Sequence, residues 1–343
     1  MRWGEVGRRP YILFSVVIAE KVLIARIRQL AKAGANAAVL TGIGDDCAVL
    51  RLDRRSEKKI DTLVTTDFSL EGVHFRRDWH TPESVGHRCL ARGLSDIAAM
   101  GGEPVAAFLS LALPRDLPRT WVERFSNGLL GLATRHGLTL AGGDTAESPG
   151  GILADIVVLG TVPKDKAVLR SGARPGDGIY VTGTLGGAAA AVGIMRNGMQ
   201  KKRRLNPRHY SRHFFPEPRI ELGRILREKG LASAMIDTSD GLSTDFAHIC
   251  EESGVGAELN AELIPRAKVG KPLQEVDLEL ALHGGEDYEL LFAASRSKKV
   301  PLHIAGVPIT RIGRITRGRG MFLEKGGETS ELKAGGWEHF AVI

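Results

Sequence analysis

Carboxylates recur at six places where an apolar segment gives way to small residues: Asp45 and Asp46, Asp67, Asp96, Asp144, Asp237 with Asp240, and Glu286 with Asp287. Functional groups gather at such ends, where a rigid scaffold meets accessible backbone. Each alone has an ordinary explanation. Asp45, Asp46 and Asp144 stand beside or near glycine and suit turns. Ser239 or Asp240 suits the N-cap of a following helix. Arg92, four residues before Asp96, suits an ion pair along one helix face. Together they point to different chemistry. Converging carboxylates repel, and must be protonated or neutralised. Hard divalent cations neutralise them through oxygen ligands, and magnesium takes only one or two carboxylates per ion beside waters and substrate phosphates. So many aspartates imply several ions on a polyphosphate. Thr65 and Thr66, beside Asp67, add oxygen donors. No histidine or cysteine accompanies the set, which argues against zinc.

The phosphate-binding signals are of a different kind. There is no G-x-x-x-x-G-K-[ST] sequence and no kinase-type glycine loop with its lysine. Gly142-Gly143-Asp144 offers backbone N–H groups to a phosphate. Arg170 is either a phosphate contact or a surface-loop arginine. Gly183–Gly187 reads as a tight strand-to-helix turn. His74, seven residues beyond Asp67, is either structural or a contact for an anionic substrate.

Alternating strands and helices must position these groups. The 343 residues exceed one typical core and imply two domains. Residues 20–33 read as a short amphipathic helix. A helix from Pro82 stops at Gly101-Gly102, with Val85, Cys89, Leu90, Leu94, Ile97 and Ala98 on one stripe and Asp96 about one turn from the end. A strand over Thr62–Thr66 ends in Asp67, and one over Leu138–Ala141 ends in the Gly142-Gly143-Asp144 loop. Val105–Leu113 and Ile152–Val162 are further strands, and Trp121–His136 is a second amphipathic helix. The turn-rich stretch Pro163–Gly178 marks a domain boundary. The expected division is an extension over residues 1–19, an N-terminal domain over 20–163 and a C-terminal domain over 164–343. In the second half, Ala234–Ile236 is a strand leading into the Asp237–Gly241 loop, and Leu242–Glu252 and Leu273–Leu282 are helices. Tyr288–Ala293 is a strong strand after Gly284–Asp287. The order gives an α+β or α/β class rather than a strict βαβ repeat.

Lys and Arg outnumber Asp and Glu by 47 to 40, giving a net charge of +7. Much of the excess lies in Lys201, Lys202, Arg203, Arg204, Arg208 and Arg212. This balance suits anionic substrates, and no aromatic-interleaved basic motif points to nucleic acid. Three scattered cysteines, Cys47, Cys89 and Cys250, fit a reducing cytoplasm rather than a disulfide framework. No apolar run approaches a membrane span. Tyr11–Ala19, after Arg8 and Arg9, imitates a signal peptide without a clean cleavage site and is read as an irregular extension.

Eight short motifs occur in order: GIGDDC at Gly42–Cys47, TTD at Thr65–Asp67 with Gly72–Phe75, LSDIAAMG at Leu94–Gly101, GGDT at Gly142–Thr145, RSG at Arg170–Gly172, IYVTG at Ile179–Gly183, IDTSDGL at Ile236–Leu242 and GGEDYEL at Gly284–Leu290. The set resembles the thiamine-monophosphate kinases, within the wider aminoimidazole-ribonucleotide synthetase superfamily, over nearly the whole chain from Glu20. The resemblance implies a two-domain architecture with a dimerising N-terminal α/β domain and a C-terminal α/β domain. It implies transfer of the γ-phosphoryl group of ATP to thiamine monophosphate, by direct in-line displacement with several Mg²⁺ ions, in a cytoplasmic homodimer. Carried over by position, Asp46, Thr65, Thr66, Asp67, Asp96, Asp144, Asp237 and Asp240 are the expected metal ligands. Gly143, Asp144, Arg170 and Ser239 are the expected ATP contacts, and Asp96, Asp144 and Arg170 the expected catalytic groups. His74, Glu286 and Trp337 are the expected thiamine contacts, the tryptophan suiting a cationic ring. The acceptor is a phosphate oxygen, so no strong general base is required. The alternatives are another ATP-dependent synthetase of the superfamily and a non-catalytic nucleotide- or metal-binding module. Against them, the chain lacks a reactive cysteine in an N-terminal glycine-rich segment or at its end, and no acidic position is lost.

Overall fold

The computed structural model describes residues 19–31, 36–52, 59–198 and 205–340. The expected extension, apart from Ala19, and the basic run 201–204 lie outside these residues. In a small unit, helix α1 (Glu20–Ala31) meets the C-terminal segment, where the His339 N–H donates to Glu20 Oε2 at 2.8 Å. The large unit, Asn36–Trp337, carries everything else.

Its first half comprises β1 (Val39–Thr41), β2 (Ala48–Leu50), β3 (Ile60–Leu70), α2 (Pro82–Ala99), β4 (Glu103–Leu113), α3 (Arg119–Arg135), β5 (Thr139–Glu147) and β6 (Leu153–Pro163). The strands form one sheet in the order β1-β2-β3-β6-β4-β5, antiparallel except for the β4–β5 pair. Side chains alternate across a strand, and here one face is covered while the other is not. Leu63, Thr65 and Ser69 of β3, with Ala154, Ile156 and Val158 of β6, are buried on the covered side. Ile60, Phe68 and Phe108 are exposed on the other.

Helix α2 is the hub. Thr81 caps it by accepting the Ser84 N–H, Pro82 opens it, and the chain turns at Met100 into a left-handed Gly101. Helices with one wet face keep a polar stripe. This one is buried nearly throughout, because it packs on α3 and the first sheet on one side and on elements of the second half on the other. Its approach to α3 is close. A Cβ on Gly128 would lie 2.0 Å from the Glu83 carbonyl oxygen, and one on Gly86 2.0 Å from that of Phe125.

The second half comprises β7 (Gly178–Thr182), α4 (Gly187–Gly198), α5 (Ser211–Phe214), α6 (Ile220–Glu228), β8 (Ala234–Asp237), α7 (Leu242–Ser253), β9 (Gly256–Asn260), β10 (Lys268–Val269), β11 (Gln274–Glu275), α8 (Leu278–His283), β12 (Leu290–Ala294), β13 (His303–Ile304), β14 (Val307–Thr316), β15 (Met321–Lys325) and β16 (Glu328–Glu331). Seven strands run in the order β16-β15-β9-β14-β7-β12-β8, with β13 paired to β14, and β10 with β11 forms a separate ribbon. The inner strands β7 and β12 and the end strand β8 are buried on both faces. Helices α6 and α7 supply Leu222, Leu226, Phe246 and Ile249 to the packing around them.

Three expectations about elements need correction. Strand β3 does not end at Asp67 but runs to Leu70, held by unbroken pairing with β6. Strand β5 continues through Gly142, Gly143 and Asp144 to Glu147, in parallel register with β4. The helix expected over Leu273–Leu282 begins only at Leu278, because Gln274 and Glu275 pair with β10.

Candidate active site

Three carboxylates meet where α2 ends: Asp46 from the loop before β2, Asp96 from the last turn of α2, and Asp237 from the end of β8. One oxygen of each lies within 4.8 Å of the others. Asp46 and Asp237 are buried and Asp96 is half-buried. Neighbours orient the group. The Thr65 hydroxyl donates to Asp96 Oδ2, and the Ser95 hydroxyl donates to Asp237 Oδ2 at 2.6 Å. Arg170 Nη2 meets Asp46 Oδ1 at 2.8 Å. The other oxygen, Asp46 Oδ2, is buried without a hydrogen-bond partner. A buried carboxylate oxygen with no donor carries a desolvation cost that a proton or a bound cation would offset.

The electrostatics agree. Burial, then Asp67, Asp237 and Asp46, pushes the Asp96 carboxyl well above its usual range. Burial and Asp46 push Asp237 up to about 7. Asp45, beside the group, is raised to about 7 by burial and Asp46, although it accepts the Arg170 N–H at 3.2 Å. The Cys47 thiol is buried against these charges and held well above its ordinary value, so it is an inert wall. The cluster is built for added positive charge. Its all-oxygen donor set fits a hard divalent ion such as Mg²⁺.

Asp67 lies next to this group. Burial raises its carboxyl, and the Arg92 guanidinium, with Nε 3.5 Å from Asp67 Oδ1, counteracts it. Arg92 therefore does not serve as the simple partner of Asp96. It also reaches Glu286 at 3.8 Å and donates to the Tyr288 hydroxyl at 3.3 Å.

A second set lies around the Asp237–Gly241 turn. Neither Ser239 nor Asp240 caps α7; the cap residue is Gly241. Asp245 reaches back from inside the helix, accepting the N–H groups of Asp240 at 3.1 Å and Gly241 at 2.9 Å. The Ser239 carbonyl accepts the Glu286 N–H at 2.7 Å, and the Asp240 carbonyl accepts the Trp337 N–H at 2.9 Å. Ser239, Asp240, Glu286 and Trp337 are thus joined through one turn, with Trp337 exposed. His74 Nδ1 accepts the Leu70 N–H at 3.0 Å, which fixes the ring.

Thr66, Gly143 and Asp144 are not brought to the three-carboxylate group. Pleating turns Thr66 to the uncovered sheet face, where its hydroxyl donates to Asp155 at 2.7 Å. Asp144 shares that face, since Ser110 pairs with both Asp144 and Asp155. The Gly143 backbone lies so close to β4 that a Cβ would fall 1.8 Å from the Leu109 carbonyl oxygen. Ser95, Arg88 and Arg92 were not singled out as site residues in the sequence. The signal for the arginines is the spacing Arg88, Arg92, Asp96, which places all three on one face of α2.

The family profile described as "AIR synthase related protein, N-terminal domain" matches residues 44–162, and that described as "AIR synthase related protein, C-terminal domain" matches residues 174–326. Both halves therefore carry the AIR-synthase-related architecture. The thiamine-monophosphate kinase of Salmonella typhimurium is 38% identical over 315 residues, 89% of this chain and 93% of that one. The enzyme of the same name from Bacillus subtilis is 32% identical over 319 residues, 89% and 95% of the two chains. Among solved structures, AaThiL complexed with AMPPCP and TMP superposes with a TM-score of 0.79 at 32% identity, covering 94% of this chain and 97% of that one. The chain belongs to the thiamine-monophosphate kinase family.

Proposed function

We propose that this protein transfers the γ-phosphoryl group of ATP to the phosphate of thiamine monophosphate, giving thiamine diphosphate and ADP. The observation that carries the reading is the cluster of Asp46, Asp96 and Asp237 with its undonated oxygen beside Arg170, in a member of this family. The cluster, with Thr65, Asp67 and Asp240 near it, would hold Mg²⁺. Magnesium takes few carboxylates per ion, so this donor set supports more than one ion. When bound, the metal neutralises charge on the transferred phosphoryl group and its neighbours. The protein's own part is positioning. Arg170, paired with Asp46 of the cluster, would meet a phosphate, and Ser239, in the turn after Asp237, would contact the nucleotide. Glu286, His74 and Trp337 would receive the thiamine portion. Burial would raise the Glu286 carboxyl, but Arg88 and Arg92 outweigh it and hold the group below its usual range. Glu286 is therefore an anion suited to a cationic ring. The acceptor oxygen is already largely deprotonated at neutral pH, so in-line transfer needs alignment rather than a base.

The reading includes a homodimer. The face of the first sheet bearing Ile60, Phe68 and Phe108 is left exposed among the described residues, and apolar patches of this kind mark interfaces. A place for Thr66 and Asp144 in the same chemistry rests on that dimer, because both lie on the face it would cover. The halves 20–163 and 164–343 are proposed as the two domains, and the cytoplasm as the compartment. Among the described residues no helix is long and apolar enough to cross a membrane.

The test is an assay with ATP, Mg²⁺ and thiamine monophosphate, reading thiamine diphosphate by chromatography. Magnesium-dependent product, absent with EDTA and absent from plain thiamine, supports the reading. Folded, ATP-binding protein that makes none overturns it in favour of a sibling synthetase with another acceptor.

A further inference from the structure

Arg88 lies one turn before Arg92 on α2, and its side chain is 5% exposed. Its guanidinium joins three distant segments. Nη2 donates to Glu286 Oε1 at 2.5 Å and to the His74 carbonyl oxygen at 3.1 Å. Nη1 donates to the His213 carbonyl and lies 3.3 Å from His213 Nδ1. Behind it, His213 Nε2 meets His80 Nε2 at 2.9 Å, and His80 Nδ1 lies 3.2 Å from the Arg76 carbonyl oxygen. Arginine is a donor only. Its N–H therefore makes His213 Nδ1 the acceptor and leaves Nε2–H to donate to His80. His80 Nδ1 in turn faces both the N–H of Arg76, at 3.3 Å, and its carbonyl oxygen, at 3.2 Å. Arg88 thus orients the His213 ring that leads to His80.

Glu286 needs such a hold. Its φ is +68°, and that of Tyr288 is +51°. Left-handed conformations at non-glycine residues are disfavoured by roughly 1–2 kcal/mol and persist where surrounding contacts over-determine them. Here the contacts are the backbone bond to Ser239 and the two arginines. A narrow pocket beside them is lined by Ser69, His74, Phe75, Val85, Arg88 and Arg92.

We propose that Arg88 is a positioning residue for the acceptor substrate: by binding the Glu286 carboxylate and the His74 carbonyl at once, it sets both proposed thiamine contacts in register without itself touching the reacting groups. The inference rests on the functional reading above, which assigns Glu286 and His74 to the thiamine portion. A bidentate fork can span these acceptors at fixed angles, whereas a lysine ammonium offers one point of attachment.

The experiment is steady-state kinetics of Arg88→Lys, Glu286→Gln and the double variant, with melting temperature and AMPPCP binding measured in parallel. For Arg88→Lys the KM for thiamine monophosphate rises on the order of 10–100-fold. AMPPCP affinity stays within about twofold, because the nucleotide contacts lie elsewhere. In the Glu286→Gln background, Arg88→Lys adds little, because its effect passes through the missing carboxylate. A merely structural role would instead lower nucleotide affinity and acceptor affinity together. An unchanged KM in folded Arg88→Lys, or full additivity with Glu286→Gln, overturns the proposal. If Arg88→Lys does not fold, His213→Gln decides: a several-fold rise in the same KM supports the proposal, and no change overturns it. Failure of the wild-type protein to form thiamine diphosphate refutes the functional reading, and with it the basis for assigning Arg88 to this acceptor.

Discussion

Replacing Asp237 by asparagine removes one charge from the buried cluster while leaving an oxygen to accept from Ser95. The carboxyl sits at about 7 against an ordinary 3.8. At about 1.4 kcal/mol per pH unit, that difference opposes folding by on the order of 4 kcal/mol once both states are ionised. The sign follows from proton counts. Between pH 4 and 7 the folded carboxyl holds a proton that the unfolded one has released. The free energy of unfolding therefore falls as pH rises through that window and stays low above it. Asparagine does not titrate. Its advantage is roughly 2 kcal/mol at pH 5 and about 4 kcal/mol at pH 8. For a unit of this size, that is a melting-temperature gain of about 4 °C at pH 5 and about 8 °C at pH 8. The assay is scanning fluorimetry from pH 5 to 8.5, with EDTA and with Mg²⁺ plus AMPPCP. Mg²⁺ with nucleotide stabilises the wild type by mass action and the variant far less. Parallel melting curves for the two proteins in EDTA across the whole range would refute the reasoning. So would a variant less stable than wild type at pH 8.

Three further outcomes are expected. Asp96→Asn abolishes turnover without loss of stability, and normal product formation in the chromatographic assay would remove Asp96 from the metal set. Thr65→Val, which strips Asp96 of its hydroxyl donor, lowers kcat/KM by about 10-fold or more; Thr66→Val, on the other face of β3, has a much smaller effect if the transfer site is complete within one chain, as paired initial-rate measurements will show. Gly128→Ala drives a methyl into the Glu83 backbone, forces α2 and α3 apart and destabilises by roughly 3 kcal/mol. Thermal unfolding should register this as a loss of about 6 °C, and an unchanged melting temperature would mean the helices are not so closely packed.

The parts legible in the sequence were those with a local cause. Helix α2 could be read because its apolar stripe, Pro82 and Gly101 act within the helix itself. Asp96 and Asp237 could be singled out because each follows an apolar run and joins a recurring set of carboxylates at such ends. The errors arose where partners are remote. Gly142-Gly143-Asp144 has the composition of a turn, yet β4 holds it extended and its glycine fits under the Leu109 carbonyl. Ser239 and Asp240 suited an N-cap, a position that Gly241 takes, while Asp245 reaches back from the helix to the N–H groups of Asp240 and Gly241. Arg88 drew no reading from the sequence. Its partners, at 213 and 286, are brought to it only when the second half of the chain packs against α2.

The three clustered carboxylates come from a loop near the start of the chain, a helix in its first half and a strand in its second. A partial product of synthesis that stops short of β8 cannot hold all three together. A ribosome-bound chain that has finished only its first sheet carries Asp46 and Asp96 without Asp237, and lacks the Glu286 loop. On the proposed reading it has no complete seat for the metal and no grip on the acceptor. An emerging chain would then be spared from splitting nucleotide to no purpose, and catalytic competence would serve as its own certificate that the last half has docked.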